Sequence, residues 1–415
     1  MSRPLPLVVI ICLVSCSPHA EEARHSFRVY EEDRVTIFES TGGSRYTGEL
    51  FDYEQVLVLD EDPEVEESLL YGPSHFLMDE DGFFYVADRG NGRIAVFDPK
   101  GRYSHSFGRE GSGPGEFRQM EIQSVSYGIL TVWDFAQRRT TRFHTDGRLL
   151  DVTPLPPTTA RQILGLSHAP DDRLVVLELE TPADGDYWEY ERSHATVFNS
   201  RGDSLWSCDF GWVKSRFVGT RRAGDLEYQW PIYFHYGPRP WCAYDRRGTI
   251  AYTSGVEPVV DVFNLDGMHV KQIRLGLDPD YPTREDGETA RAFLRETVER
   301  NAGSPTADNW QSELENILMP EQKAFWHRLE VDDAGFIWLL KPEHRFAIFD
   351  DTITLLTWFL ISPDGEYLGQ TRRPKDARAR ISRGHLLEIS SDRESGELSL
   401  IVYAIHPAVH GLEYP

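Results

Sequence analysis

The chain has 415 residues, with 43 Lys and Arg against 67 Asp and Glu, a net charge of −24 at pH 7. Such an acidic surface repels phosphate backbones and argues against a nucleic-acid partner. Aromatic residues, at 12%, exceed what a disordered chain holds, so a packed core is expected.

The chain begins "MSRPLPLVVIICLVSCSPHAEE". Arg3 supplies a short positive region, and residues 5–14 form an apolar run of signal-peptide length, too short to span a bilayer. The run closes on Leu13-Val14-Ser15-Cys16, an apolar-x-small-Cys pattern that resembles the bacterial lipobox, whose cysteine is lipidated and becomes the first mature residue. The expectation is a lipoprotein signal peptide over residues 1–15, a lipid anchor on Cys16 and a tether over residues 16–33. An ordinary secretory signal cut nearby is the alternative. Either way the protein is read as exported to the cell envelope, at its periplasmic or outer-membrane face. No later apolar run has spanning length, so the membrane is met through lipid alone. Cys12 leaves with the signal. Cys208 and Cys242 then remain in an oxidising compartment, where a disulfide and two separate thiols are both open. Their spacing fits no zinc pattern.

A repeat follows. "FLMDEDGFFYVADRGNGRIAVFDPKGRYSHSFG", from Phe76, alternates apolar runs with turns at Asp-Gly, Asn-Gly and Pro-Lys-Gly. Asn91-Gly92 reads as a type I′ hairpin turn, with positive φ at both residues. Four antiparallel strands in about forty residues match one propeller blade. Gly82 and Gly101 lie 19 residues apart, as do Gly128 and Gly147, and Gly248 and Gly267. Two further copies are stretched between the second and third strands; in one of them Gly335 and Gly365 lie 30 apart. A sixth copy, "ISRGHLLEISSDRESGELSLIVYAIHP", stops after three strands. "QVLVL", at residues 55–59, is expected to supply the missing outer strand and close the ring, leaving no open seam. "RVTIF", at residues 34–38, is expected to pack beside it. The fold expected is all-β, a single six-bladed β-propeller over residues 34–408 with four-stranded antiparallel blades, followed by a tail over 409–415.

Two insertions break the rhythm. Residues 211–240 are rich in aromatics and arginine. Residues 283–327 read as a small helical insertion: Ala290, Phe293, Leu294 and Val298 make one apolar stripe and Trp310, Leu314, Ile317 and Leu318 another. Asn301 to Gly303 separates the two, and Pro320 follows the second.

These units resemble six-bladed propellers of the NHL-like group, whose inter-blade linker "FGxxGxGPGEF" is matched by "FGREGSGPGEF" at residues 107–117. The helical insert followed by "MPEQKAFWHRLEVDDAGFIWLL", and the "LIVYAI" ending, resemble uncharacterised bacterial six-bladed propeller lipoproteins. The resemblance implies a fold and no activity, because this group hosts binding modules and unrelated enzymes alike.

Phosphate-binding loops are excluded. The glycine-rich stretches have no Lys-Ser/Thr pair and no following helix. A Gly-x-Ser-x-Gly elbow and a His-Glu-x-x-His motif are both absent from the sequence. Acidic residues Asp79, Asp88, Asp134, Asp245 and Asp332 are read as falling mostly in turns, where Asp bonds its own backbone. The histidines, His75 and His327 among them, are scattered singly. Asp88 with Arg93, and Asp134 with Arg139, read as hairpin ion pairs or bonds between blades. No catalytic residue, metal ligand or cofactor is assigned.

Recognition is expected from the 211–240 insertion and the "GPRPWCAYD" after it, through Arg221, Arg222, Trp230, Tyr233, Tyr236, Arg239 and Trp241. Loops on a rigid scaffold carry function, and aromatics with arginine suit a carbohydrate or a protein partner. The expected function is a ligand- or protein-binding module. The alternative is a metal-dependent hydrolase or lyase at the channel mouth.

Overall fold

The computed structural model describes residues 25–59, 64–155, 162–169, 171–181, 189–223, 226–303, 307–342, 353–374, 379–391 and 398–415. For residues 217–233 it describes strands but not side chains. The segment expected as a signal peptide, Cys16 and most of the expected tether lie outside the described residues.

Six sheets follow one another around an axis. The innermost strands of blades one to six are Pro73–Met78, Met120–Ser126, Gln162–His168, Trp241–Asp245, Arg328–Val331 and Arg380–Ser382. Every blade runs antiparallel from the innermost strand outward. Each of the six gaps between neighbouring blades holds its own apolar cluster, so burial is spread around the ring. Between blades five and six, for example, Trp338, Trp358 and Leu360 meet Phe51, Leu386 and Ile405.

The ring is closed by the N-terminal strand Phe51–Val58, which pairs antiparallel with Leu398–Pro407 as the outer strand of blade six. Leu57 lies opposite Val402, and the Leu59 N–H reaches Leu400 O at 2.9 Å. "RVTIF" takes a different place from the one expected. Strand Val35–Thr41 pairs parallel with His269–Leu275 on the outer edge of blade four, not beside the closing strand. Ile37 and Phe38 thereby gain cover at the edge of the core between blades four and five. Gly365 leaves the room, since a Cβ there would sit 2.8 Å from the Phe38 ring. Ser26–Glu32, within the stretch expected as tether, forms a further strand on Val35–Thr41.

The Asn91-Gly92 turn is also corrected. Four residues, 89–92, join Phe84–Asp88 to Arg93–Phe97, and Gly92 alone has positive φ, +65°. The Asn91 amide instead donates to Asp88 Oδ2 at 2.7 Å and Leu69 O at 3.2 Å. Gly92 also makes space for the linker, because a Cβ would lie 2.7 Å from Glu110 N.

Antiparallel order gives the ring two unlike faces. The front face holds the starts of the innermost strands and the connections between blades. The back face holds the turns between first and second strands. Both insertions are connections between blades, before and after blade four, so both lie at the front. Arg216–Ala223 and Leu226–Tyr233 form a two-stranded hairpin. Helices α1 (Arg284–Arg300) and α2 (Ala307–Glu315) follow, with Phe293 and Leu294 packed against Trp310, Leu314 and Ile317. The insertions touch: the His235 N–H donates to Leu318 O at 2.9 Å.

Candidate functional site

The innermost strands enclose an axial cavity of about 220 Å³, reaching from Trp241, Arg328 and Arg380 at the front to Asp333 and Arg246 at the back. A half-buried strand alternates apolar and polar residues, and here the polar positions of several blades converge. Arg328 and Glu330 share one face of blade five's strand, while Leu329 between them packs into the core. Arg380 opens blade six's strand, His75 lies in blade one's and Glu121 in blade two's.

The polar groups form an arc of two sets that act on each other through charge. Arg328 Nη2 lies 2.9 Å from Glu330 Oε1, and Arg373 Nη2 lies 3.0 Å from Glu330 Oε2. Arg373 comes from the outer strand of the same blade and lies 3.7 Å over the Trp358 ring. Arg380 Nη2 lies 3.4 Å from His75 Nε2, and that nitrogen lies 2.7 Å from Glu121 Oε1. Arg89 anchors its Nε on Met120 O at 2.8 Å. Blades three and four complete the wall with Leu164, Gly165, Leu166, Trp241, Cys242 and Ala243. The cavity lining therefore mixes charged residues with apolar and aromatic ones.

The charges shape one another. Burial pushes the Glu330 carboxyl up, but Arg328, Arg373 and Arg380 outweigh it and hold the group at about 2. Burial pulls Arg328 down to about 10 against the pull of Glu330, with Arg380 and Arg373 adding to the fall. Burial also lowers His75 against its bond to Glu121, and Arg380 and Arg89 lower it further. Burial raises Glu121, yet its bond to His75 and the nearby charges leave it below the ordinary carboxylate range. Burial thus disfavours the charged form of His75, whose Nε2 stays within hydrogen-bond distance of the Glu121 carboxylate.

Of the residues expected to recognise a ligand, Trp241 lines this cavity. Arg239 lies beside it, its guanidinium 5.5 Å from the Trp241 ring. Tyr236 is buried, with φ of +58° and Lys323 5.0 Å over its ring, so it packs the foot of the insertion. Arg221, Arg222, Trp230 and Tyr233 lie on the front hairpin, where Arg221 faces Tyr228 in register and Trp230 faces Gly219; their side chains are outside the described residues. Arg328, Glu330, Arg380, Glu121 and Arg89 were not singled out from the sequence.

Cys208 and Cys242 are free thiols within the core between blades three and four. Cys208 sits on the outer strand of blade three and Cys242 on the innermost strand of blade four. Burial pushes the Cys242 thiol up to about 12.

The turn aspartates hold the scaffold. Asp88 accepts Arg93 Nε at 2.9 Å and the Tyr71 N–H at 2.7 Å. Asp134 accepts the Arg118 N–H at 2.8 Å, and Arg139 donates to Gly113 O and Glu116 O of the glycine-rich linker. Both motifs are thus bonds within and between blades. Among the described residues, one group of three potential metal ligands converges, Glu180, His194 and Asp209. It lies on blade three, away from the cavity, and Arg192 already pairs with Glu180 at 2.7 Å and Asp209 at 2.6 Å.

A family described as DUF5128, 6-bladed beta-propeller, matches residues 49–175. No curated protein matches the sequence. Among solved structures, the chain is similar to a candidate exported protein from Bacteroides fragilis NCTC 9343, at 10% identity and a TM-score of 0.48, covering 88% of this chain and 98% of that one. It is also similar to a duf4221 family member from Bacteroides vulgatus, at 11% identity and 0.43, covering 87% and 100%. A gluconolactonase from Xanthomonas campestris aligns at 11% identity and 0.37, covering 87% and 99%. These likenesses concern the fold alone.

Proposed function

We propose that the protein is an exported, lipid-anchored propeller that binds a small ligand at the front of its axial cavity. The carrying observation is the mixed lining, with charged residues from blades five, six, one and two, Trp241 beside Arg328, and aliphatic residues from blades four and three. Concave sites with a few convergent polar groups on an apolar wall are where small molecules bind. Both insertions lie on the same face of the ring.

The test is a solute screen by thermal shift on the purified full chain, followed by product analysis. Binding predicts saturable stabilisation by at least one solute, lost in Trp241→Ala, with the solute recovered unchanged. Turnover of the solute, abolished by a chelator, would establish the hydrolase or lyase instead. The anchor has its own test. Intact-mass analysis of membrane-fraction protein should find diacylglycerol on Cys16, and a chain without it contradicts lipid anchoring.

A further inference from the structure

We infer that the ligand is a small organic anion, a ring or apolar body bearing a carboxylate or phosphate, held by Arg328 and Arg380. This rests on the binding site proposed above and adds the chemical class.

The argument starts from charge. Among the described residues of the arc, four guanidinium groups (Arg89, Arg328, Arg373, Arg380) act on two carboxylates, Glu121 and Glu330. Four against two leaves two positive charges without compensation, whatever the state of His75. Buried charges of one sign are costly unless something pairs them.

The pairing pattern points the same way. Arg373 is 2% exposed and holds Glu330 from behind, outside the cavity lining. Glu330 is already held on its second oxygen by Arg373, which leaves Arg328 only partly neutralised. Arg380 bonds the neighbouring Ala379 carbonyl at 3.3 Å and has no carboxylate within ion-pair distance among the described residues. Arg328 and Arg380 both line the cavity, and Arg380 lowers the preference of Arg328 for charge. An oxyanion between them accepts charge-assisted bonds and relieves that repulsion.

Blades three and four set the rest of the molecule. Trp241 stands beside Arg328, its ring 6.0 Å from that guanidinium, and with Leu164 and Leu166 it offers an uncharged surface that suits an aliphatic or ring face. At about 220 Å³ the cavity is of small-molecule scale.

The back of the same cavity is the internal control. There Arg246 is paired with Asp333 at 2.8 Å, so an anion gains little.

The experiment is isothermal titration of the full chain with D-glucuronate, D-glucose and inorganic phosphate. Glucuronate should bind, glucose should bind at least about tenfold more weakly, and phosphate should compete. Arg328→Gln and Arg380→Gln should each weaken glucuronate about tenfold or more, Arg328→Lys should lose less, and Arg246→Gln should leave affinity unchanged. Equal binding of glucose and glucuronate, lost in Trp241→Ala, overturns the anionic class while the binding site stands. Glucuronate binding that survives both glutamine variants, or phosphate binding with no glucuronate binding, also overturns the inference. No binding by any of the three overturns it too, and the solute screen then decides the binding role separately.

Discussion

The two ends of the cavity carry similar residue types and use them in opposite ways. At the back, charges are matched one against another across blades. Glu80 of blade one takes the Tyr127 N–H of blade two at 3.1 Å and an ion pair from Arg383 of blade six. Asp333 of blade five takes the Arg383 N–H and pairs with Arg246 of blade four. At the front, guanidinium groups outnumber carboxylates. Matched charges close a ring; an unmatched excess in a cavity is an arrangement for a guest. The back is therefore expected to govern stability and the front to govern recognition.

The back is secured further by the C-terminal residues. Expected as a tail, 409–415 instead folds onto blade five, where Tyr414 packs against Phe51, Phe336 and Trp338. Buried Asp332 accepts Tyr414 Oη–H at 2.7 Å, Trp338 Nε1–H at 2.9 Å and two turn N–H groups, those of Ala334 and Phe336. Asp332→Ala leaves these donors unpaired, and a loss of about 3–4 kcal/mol is expected in denaturant unfolding. Affinity for a front ligand should not change. A loss below about 1 kcal/mol would remove the C-terminal segment from the scaffold.

Acid should weaken the fold next most strongly. Burial lowers His168 to about 4, with Arg142 adding to the fall, and lowers His327 to about 4 against its bond to Gly237 O, with Arg239 adding. Both are neutral in the fold, while the unfolded chain takes up protons from about pH 6.5 downward. Their contribution is complete above pH 6.5 and declines as pH falls toward 4. At 1.36 kcal/mol per pKa unit, each costs up to about 2 kcal/mol at pH 5. His327→Gln, which touches the foot of the front hairpin, should flatten the profile; an unchanged profile contradicts a buried neutral imidazole.

Arg328→Met sharpens the comparison by its sign. It removes repulsion with Arg380 and Arg373 and leaves Glu330 paired with Arg373. Stability should hold or rise by up to about 1 kcal/mol, as when a strained functional group is removed. A fall of several kcal/mol would make Arg328 a structural residue. The smallest effect belongs to Arg383→Ala at the half-exposed back rim, about 0.5–1 kcal/mol lost and further reduced by salt.

The blades were legible in sequence because turns punctuate them. Gly82, Gly101, Gly128, Gly147, Gly248, Gly267, Gly335 and Gly365 all adopt positive φ, so their spacing exposes the repeat directly. The place of "RVTIF" was not legible, since a parallel edge pairing leaves no local turn signal. The front arc was harder still. Its residues come from four blades, and each is one charged side chain within an otherwise ordinary short strand. A signal was present: aligning innermost strands puts His75, Glu121, Arg328 and Arg380 near the same end. Their mutual approach needs the closed ring, because His75 and Arg380 are 305 residues apart.

The division between the two ends is tested most directly by amide hydrogen exchange of the full chain with and without D-glucuronate. Recognition at the front predicts slower exchange in the innermost strands Met120–Ser126, Trp241–Asp245, Arg328–Val331 and Arg380–Ser382 toward their starts, with the back turns at 79–83 and 332–336 unchanged. Protection concentrated in those back turns, with the front strands unaffected, would contradict it.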